Sequence, residues 1–474
     1  MALIGQPRVA LNLRLVIFVL GSAVGYVWIN YFTHRVWFYQ FIALYVGLFG
    51  VYGWFVHWVL KPGNVVSVRQ IQWLGILLRL IPLWMIPNLS DDFFRFYWDG
   101  KLLVNGYNPY LWLPKDFILT PEAAKLGFSQ ALYEAMNSPT HYTIYPPFNQ
   151  ALFATAPWLY PHSLLGGAVV MRCWIILGEI GLLWLLPKLL QMLGKPPKAM
   201  VWYVLNPYIV LELTANLHFE GVMIFMLLLA VYWLVKGGYL HVAPNPQKNR
   251  QPNPVYFILS VVAFTLAVNT KLIPLIFLPA LFWFLGFKRS LLYYSLVGLL
   301  TALLFIFFIT PDFIAKFQDS FNLYFQKFEF NASVYYVLRW IGYQTHGYNR
   351  IAFFGFVLSI ISGLGALAIA LYPVRKAVVH QLLHKMLFIL TFYYLMATIV
   401  HPWYISVIVG LAVFTPYRFP MVWSAMLGLT YYAYSSMPYQ ENLWLVAVEY
   451  AVVLGWLAVE LVRHWSARDS LHKL

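Results

Sequence analysis

Residues 13–32 read Leu13-Arg14-Leu15-Val16-Ile17-Phe18-Val19-Leu20-Gly21-Ser22-Ala23-Val24-Gly25-Tyr26-Val27-Trp28-Ile29-Asn30-Tyr31-Phe32, with one charge at the very start. A helix of this length spans the hydrocarbon core of a bilayer. The run lacks a small-residue cleavage site and leads straight into a second apolar run. It therefore reads as a retained membrane helix, not a removed signal. Comparable runs recur to the C-terminus, and 62% of the 474 residues are hydrophobic against 10% charged. The fold class that follows is all-α: a polytopic integral membrane protein of about 12–14 spans, with interfacial helices in its outer loops. Fourteen runs can be marked, near 13–32, 37–60, 69–87, 165–193, 198–214, 217–236, 254–270, 272–286, 290–310, 350–372, 386–400, 402–415, 419–434 and 441–463.

A formal charge of +15 would suit a nucleic-acid partner, but its distribution argues otherwise. With the N-terminus inside, nineteen Lys and Arg fall in inner segments and ten in outer ones, and nearly all loop acids are outer. This is the positive-inside pattern. It predicts a cytoplasmic (inner) membrane location with both termini cytoplasmic and no nucleic-acid partner. The two longest loops, 88–164 and 311–349, then face outward. The expected organisation is three N-terminal spans (1–87), a first outer loop (88–164), a central bundle (165–310), a second outer loop (311–349) and a C-terminal bundle (350–474). The single Cys173 excludes an internal disulfide and a cysteine metal site.

The first outer loop opens on Ser90-Asp91-Asp92-Phe93-Phe94-Arg95-Phe96-Tyr97-Trp98-Asp99-Gly100. Charged groups at a membrane boundary are expensive, so such a cluster points to a functional site. The competing reading is that Asp91 and Asp92 simply cap the next interfacial helix, since Ser and Asp are good N-caps. Paired carboxylates suit a general base, because close neighbours shift each other's protonation. Short interfacial helices are expected near 121–126 and 130–136, and 149–160 is apolar but too short to span. Other polar residues fall on the same outer side: His218 and Glu220, Lys271, Arg339 and His401. His218 and Glu220 are two residues apart and do not share a helix face, which argues against zinc. A snorkelling role competes for Lys271, whereas Arg339 offers a planar fork to phosphate.

The ordered set Asp91-Asp92…Arg95…Trp98-Asp99-Gly100…Gly106…Asn108-Pro109-Tyr110 resembles bacterial polyprenyl-phosphate-mannose-dependent mannosyltransferases of the GT-C superfamily. These are distantly similar to the catalytic subunit of the first GPI mannosyltransferase. Further matches are Ile144-Tyr145-Pro146-Pro147, His218-Phe219-Glu220-Gly221, Lys271-Leu272-Ile273-Pro274, Phe328 to Tyr335 with Arg339, and His401-Pro402-Trp403-Tyr404. The resemblance covers about residues 90–404. It implies a GT-C-type helical bundle and a polyprenyl-phosphate-hexose donor, with mannose the leading sugar. It also implies inverting transfer to a hydroxyl of a lipid or glycan acceptor on the outer, periplasmic side.

The catalytic acid of that family maps to Asp91 or Asp92. Candidates for the donor phosphate are Lys271, Arg339, His401, Arg95 and Tyr404. Candidates for sugar or acceptor are Trp98, Asp99, Tyr145, His218, Glu220 and Asn331. The family's carboxylates are usually spaced by one residue; here they are adjacent, and three spans precede them instead of one. That leaves room for a divalent cation, Mg²⁺ or Mn²⁺, without requiring one. Two other classes share the hydrophobicity. A flippase or transporter of lipid-linked sugars would rely on mid-span polar residues such as Arg79, Arg172, Glu179 and Glu449. An O-antigen-type polymerase or ligase would not need the Asp pair.

Overall fold

The computed structural model describes residues 13–242, 251–326, 328–374 and 377–472, without side-chain detail for 321–326 and 467–472. The basic residues Arg8, Lys248, Arg250, Lys327, Arg375, Lys376 and Lys473 lie outside the described residues. The chain is an all-α membrane protein. Its longer helices are α1 (Leu13–Phe32), α2 (Phe38–Val59), α3 (Val68–Leu80), α4 (Asp92–Val104), α5 (Pro147–Leu159), α6 (Leu164–Met192) and α7 (Glu220–Lys236). They continue with α8 (Pro254–Thr270), α9 (Phe287–Phe305), α10 (Phe313–Gln326), α11 (Val334–His346), α12 (Ile351–Leu371), α13 (Val379–Met396) and α14 (Leu443–His472).

Among the described residues, six helices are long and apolar enough to cross a membrane: α1, α2, α6, α9, α12 and α14. Pro207–Ala215 and α7 make a seventh span if counted together, bent by 110°. The other predicted runs are shorter or broken, and proline explains most breaks. It lacks an N–H and fixes φ. The run 69–87 stops as α3 at Leu80, ahead of Pro82 and Pro87. The run 198–214 breaks at Pro207 and ends in a π-helical turn, Val210–Ala215. The run 272–286 is 3₁₀ over Ile273–Leu281, with Pro274 and Pro279. The run 402–415 starts as 3₁₀ at Pro402. Non-helical backbone survives at membrane depth where protein surrounds it.

Side chains that satisfy the freed carbonyls are charged and buried. Arg172 is fully buried. Its Nη1 donates to Leu83 O (2.9 Å) and Met85 O (2.8 Å), its Nε to Thr214 O (2.9 Å) and its Nη2 to Ala215 O (3.0 Å). Arg79 donates to Glu179 (2.7 Å) and to Val204 O (2.8 Å), and Tyr203 OH donates to the other Glu179 oxygen (2.8 Å). Glu449 accepts from Asn331 Nδ2 and Trp423 Nε1. The mid-span polar residues thus brace broken helices. Outward faces carry Leu20, Val24, Trp28, Leu303, Leu364 and Val452, all exposed and suited to lipid.

Contacts sort the loops onto two faces. On one, Asn108 Nδ2 donates to Phe308 O, Lys316 Nζ to Leu111 O, and Phe330 pairs with Ile399 in a parallel bridge. On the other, Lys198 Nζ donates to Asn64 O, and His241 pairs with Val378. The first face carries the loop 88–164. Its short helices Pro121–Lys125 and Gln130–Glu134 start where expected, capped by Thr120 and Ser129. The apolar piece 149–160 forms most of α5, which lies along α4. Phe96 stacks on Phe153 at 4.4 Å, and a Cβ on Gly100 would meet the Phe153 carbonyl oxygen at 2.5 Å. Only glycine permits that approach.

Candidate active site

Asp91 sits at the N-cap position of α4 yet makes no side-chain capping bond. Its carboxylate turns away, and Arg35 Nη1 donates to Oδ2 at 2.6 Å. Arg35 comes from the tight turn between α1 and α2, and its Nη2 donates to Tyr439 OH at 2.6 Å. The capping reading of this acid is therefore not what the structure uses. Among the described hydrogen bonds, none takes Asp91 Oδ1. Burial raises the Asp91 carboxyl above its ordinary value; Arg35 opposes this and the charge of Asp92 adds to it.

Asp92 has different neighbours. Asn137 Nδ2 donates to Oδ1 at 2.9 Å, and His218 Nε2 lies 3.5 Å from Oδ2. Burial pushes this carboxyl up, but bonding and charge from His218, then Asn137 and His401, outweigh it and hold the carboxyl at about 2. Asp92 is thus a fixed negative charge beside Asp91. His218 is fully buried and stacks on Trp403 at 3.8 Å, which stacks on His401 at 4.6 Å. Its Nδ1 donates to the Glu212 carbonyl (2.9 Å), inside the π-helical turn. Leu217, just before it, has φ of 62°, a strained conformation for leucine. Burial lowers His401 to about 4, with Asp92 opposing and His218 and Lys271 reinforcing. His401 is neutral at pH 7.

Asp91, Asp92, Asn137, His401 and Trp403 face a cavity of about 1150 Å³. Of the predicted residues, Asp91, Asp92, Arg95, Tyr145, Glu220, Lys271, Arg339, His401 and Tyr404 line it. Segments from residue 91 to residue 404 thus meet in one place. The cations that line the cavity, Lys271, Arg339, Arg95 and Arg35, already have carboxylate partners. Lys271 pairs with Glu220 and lies near the rings of Tyr145 (5.6 Å) and Tyr404 (6.0 Å). Arg339 pairs with Glu329 and lies 4.6 Å from the Tyr336 ring. Arg95 donates to Asp99 (2.8 Å) and to the carbonyls of Ser138 and His141. Polar atoms remain for a ligand: Arg95 Nη2, Glu220 Oε2 and His401 Nδ1 are buried without a hydrogen-bond partner.

Four predicted residues stand behind the wall. Trp98 is fully buried and packs on Phe117 and Phe128. Asp99 braces Arg95, and Gln150 approaches its other oxygen. His218 supports Asp92. Asn331, with φ of 45°, accepts from Tyr450 OH and donates to Glu449. Among the described residues no three His, Cys, Asp or Glu form a metal-ligand group. Arg35, Asn137 and His218 face oxygens of the Asp pair, so these residues do not make a cation cradle.

Sequence reading missed Arg35, Glu329, Tyr434, Tyr439, Gln440 and Glu441, all of which line the cavity. Arg35 was visible only as one basic residue in a short turn. For Tyr439, Gln440 and Glu441 the signal was a polar, proline-containing break, Met437-Pro438-Tyr439-Gln440-Glu441-Asn442, on the same side as the acidic loop; Glu329 stands inside the quoted stretch Phe328 to Tyr335, and Tyr434, at the end of an apolar run, gave no signal.

A family model described as alpha-(1->6)-mannopyranosyltransferase, N-terminal domain, matches residues 16–286. That is more than half of the 474 residues and includes Asp91, Asp92, Tyr145, His218, Glu220 and Lys271. No curated protein and no solved structure matches. With an all-α membrane fold and a carboxylate-lined cavity, the chain belongs to this family of GT-C membrane mannosyltransferases.

Proposed function

We propose that the enzyme moves mannose from a polyprenyl-phosphate donor to a hydroxyl of a glycan or glycolipid acceptor, with inversion at the anomeric carbon, on the outer face of the cytoplasmic membrane. The observation that carries this reading is a single cavity joining the Asp91-Asp92 pair, the Lys271 ammonium and an apolar wall of Met223, Leu272, Ile273, Leu275, Ile276 and Val407. A lipid-linked sugar phosphate needs both a cation and an apolar berth. Ile276 and Tyr393 also line an adjoining apolar cavity of about 200 Å³ between α12 and α13. This gives an isoprenoid tail a route toward the lipid.

Asp91 is the general base in this reading. Its raised pKa makes it the better proton acceptor of the pair, and Arg35 orients one oxygen while the other faces the acceptor. The acceptor O–H gives its proton to Asp91 as its oxygen forms a bond to C1 of mannose. The C1–O bond to phosphate breaks, and its electron pair leaves on the polyprenyl phosphate. Lys271, with Arg339 farther along the wall, offsets that developing charge. His401, neutral, offers a hydrogen bond and no charge. The proton then passes from Asp91 to water or to the departing phosphate. The outward orientation rests on the basic-residue distribution, and the linkage follows the family description.

Purified protein offered polyprenyl-phosphate-mannose and nucleotide-activated mannose in parallel tests the reading. Transfer from the lipid donor alone is expected. Transfer from the nucleotide sugar alone would overturn it.

A further inference from the structure

The cavity has a second polar end that the donor does not need. Arg35 sits between two rings, its Cζ 5.4 Å from the Tyr434 centroid and 5.5 Å from that of Tyr439. The rings meet edge to face at 5.1 Å. Tyr439 is 46% exposed, unlike the buried aromatics of the bundle, and Gln440 beside it lines the cavity. A trail of ring contacts separates this end from the cationic one. It runs from Lys271 over Tyr404 (6.0 Å), Tyr404 to His401 (5.4 Å), His401 to Phe330 (5.2 Å), Phe330 to Tyr434 (6.5 Å) and Tyr434 to Arg35. Asp91 stands at the Arg35 end.

We propose that Arg35, Tyr434, Tyr439 and Gln440 form the acceptor subsite and that its ligand is a hexopyranose-ended glycan; this rests on the function proposed above. An inverting displacement brings the nucleophile in on the face opposite the leaving phosphate. The acceptor must therefore approach from the side of Asp91 away from Lys271. A pyranose has one face of C–H bonds and an edge of hydroxyls. The exposed Tyr439 ring offers a π face to the first, and Gln440, with both donor and acceptor atoms, suits the second. Arg35 links platform to base, because one guanidinium bonds both Tyr439 OH and Asp91. A seated sugar is thereby registered against the carboxylate that takes its proton.

The test is acceptor kinetics and direct binding with α-(1→6)-linked mannotriose. Tyr439→Ala should raise the acceptor KM about tenfold while the donor KM holds, the size expected for one aromatic contact. Tyr439→Phe, which keeps the ring, should lie between the variant and wild type, and Gln440→Ala should also raise the acceptor KM. Mannotriose binding without donor, read by saturation-transfer NMR, should weaken in parallel. A rise in donor KM with acceptor KM unchanged would overturn the proposal, as would unaltered mannotriose binding in Tyr439→Ala. The binding arm needs no lipid donor, so it decides the subsite even if wild type proves to use another donor.

Discussion

Arg35 and Asp91, 56 residues apart, meet at 2.6 Å and tie the turn between α1 and α2 to the first carboxylate of the acidic motif. That contact distinguishes two adjacent carboxylates. Asp91 is held by a cation on one oxygen and has a raised pKa; Asp92 is held by Asn137 and His218 and is lowered.

The first prediction concerns pH. Asp91 works as the carboxylate, so turnover falls as pH drops through its pKa. Arg35 lowers that pKa, so Arg35→Gln should move the acid limb of the kcat profile to higher pH. Asp92 raises it, so Asp92→Asn should move the limb to lower pH. Shifts of the opposite sign would show that the limb does not report Asp91.

Lys271 and Glu220 test the cationic end. Glu220 is only 2% exposed, so Lys271→Ala strands a buried carboxylate. Breaking one side of such a pair costs about 3–5 kcal/mol. The melting temperature should fall in Lys271→Ala and recover substantially in Lys271→Ala/Glu220→Gln. Activity should stay low in the double variant, because the phosphate still lacks its cation. Recovery of activity along with stability would remove Lys271 from phosphate binding.

Arg172 should act at a distance. It bonds the carbonyls of Leu83 and Met85, ahead of Asp91-Asp92, and of Thr214 and Ala215, ahead of His218. Lysine cannot span four carbonyls in two directions. Arg172→Lys should lower kcat by up to about 10², as small displacements of reacting groups can, with both KM values little changed. Its effect should be less than additive with that of His218→Gln, since both loosen one arrangement. Fully additive losses would mean that Arg172 serves stability alone.

Much of this was legible in the sequence, and the limits have physical causes. Apolar run length revealed the membrane class, and the acidic run named residues that line the cavity. Run length could not separate a straight span from one broken at Pro207, Pro274 or Pro402, because hydropathy is blind to backbone hydrogen bonding. Trp98 and Asn331 stood as sugar candidates because they fall inside the stretches that carry the resemblance, of which Arg95 and Phe330 do line the cavity; on a helix or a positive-φ turn, nearby residues point apart. Arg35 and Tyr439 were missed because each belongs to a short turn and acquires meaning only through a contact across 404 residues.

Sidedness is open to direct labelling. In a Cys173→Ser background, Thr140→Cys on the acidic-loop face should react in intact cells with a membrane-impermeant thiol reagent. Lys288→Cys, ahead of most of α9 and assigned to the inner side, should react only after permeabilisation. Both positions are accessible to solvent or headgroups. The reverse pattern would turn the active site toward the cytoplasm.

The central claim is that Asp91 takes the acceptor proton during transfer from a lipid phosphate. Its most direct test is the single-turnover rate of purified wild type and Asp91→Asn with polyprenyl-phosphate-mannose and a mannoside acceptor, with donor binding measured on the same preparations. The amide keeps the shape and cannot accept the proton, so the rate should fall by about 10² to 10⁴ while donor binding persists. A single-turnover rate for Asp91→Asn within a few-fold of wild type would contradict the account.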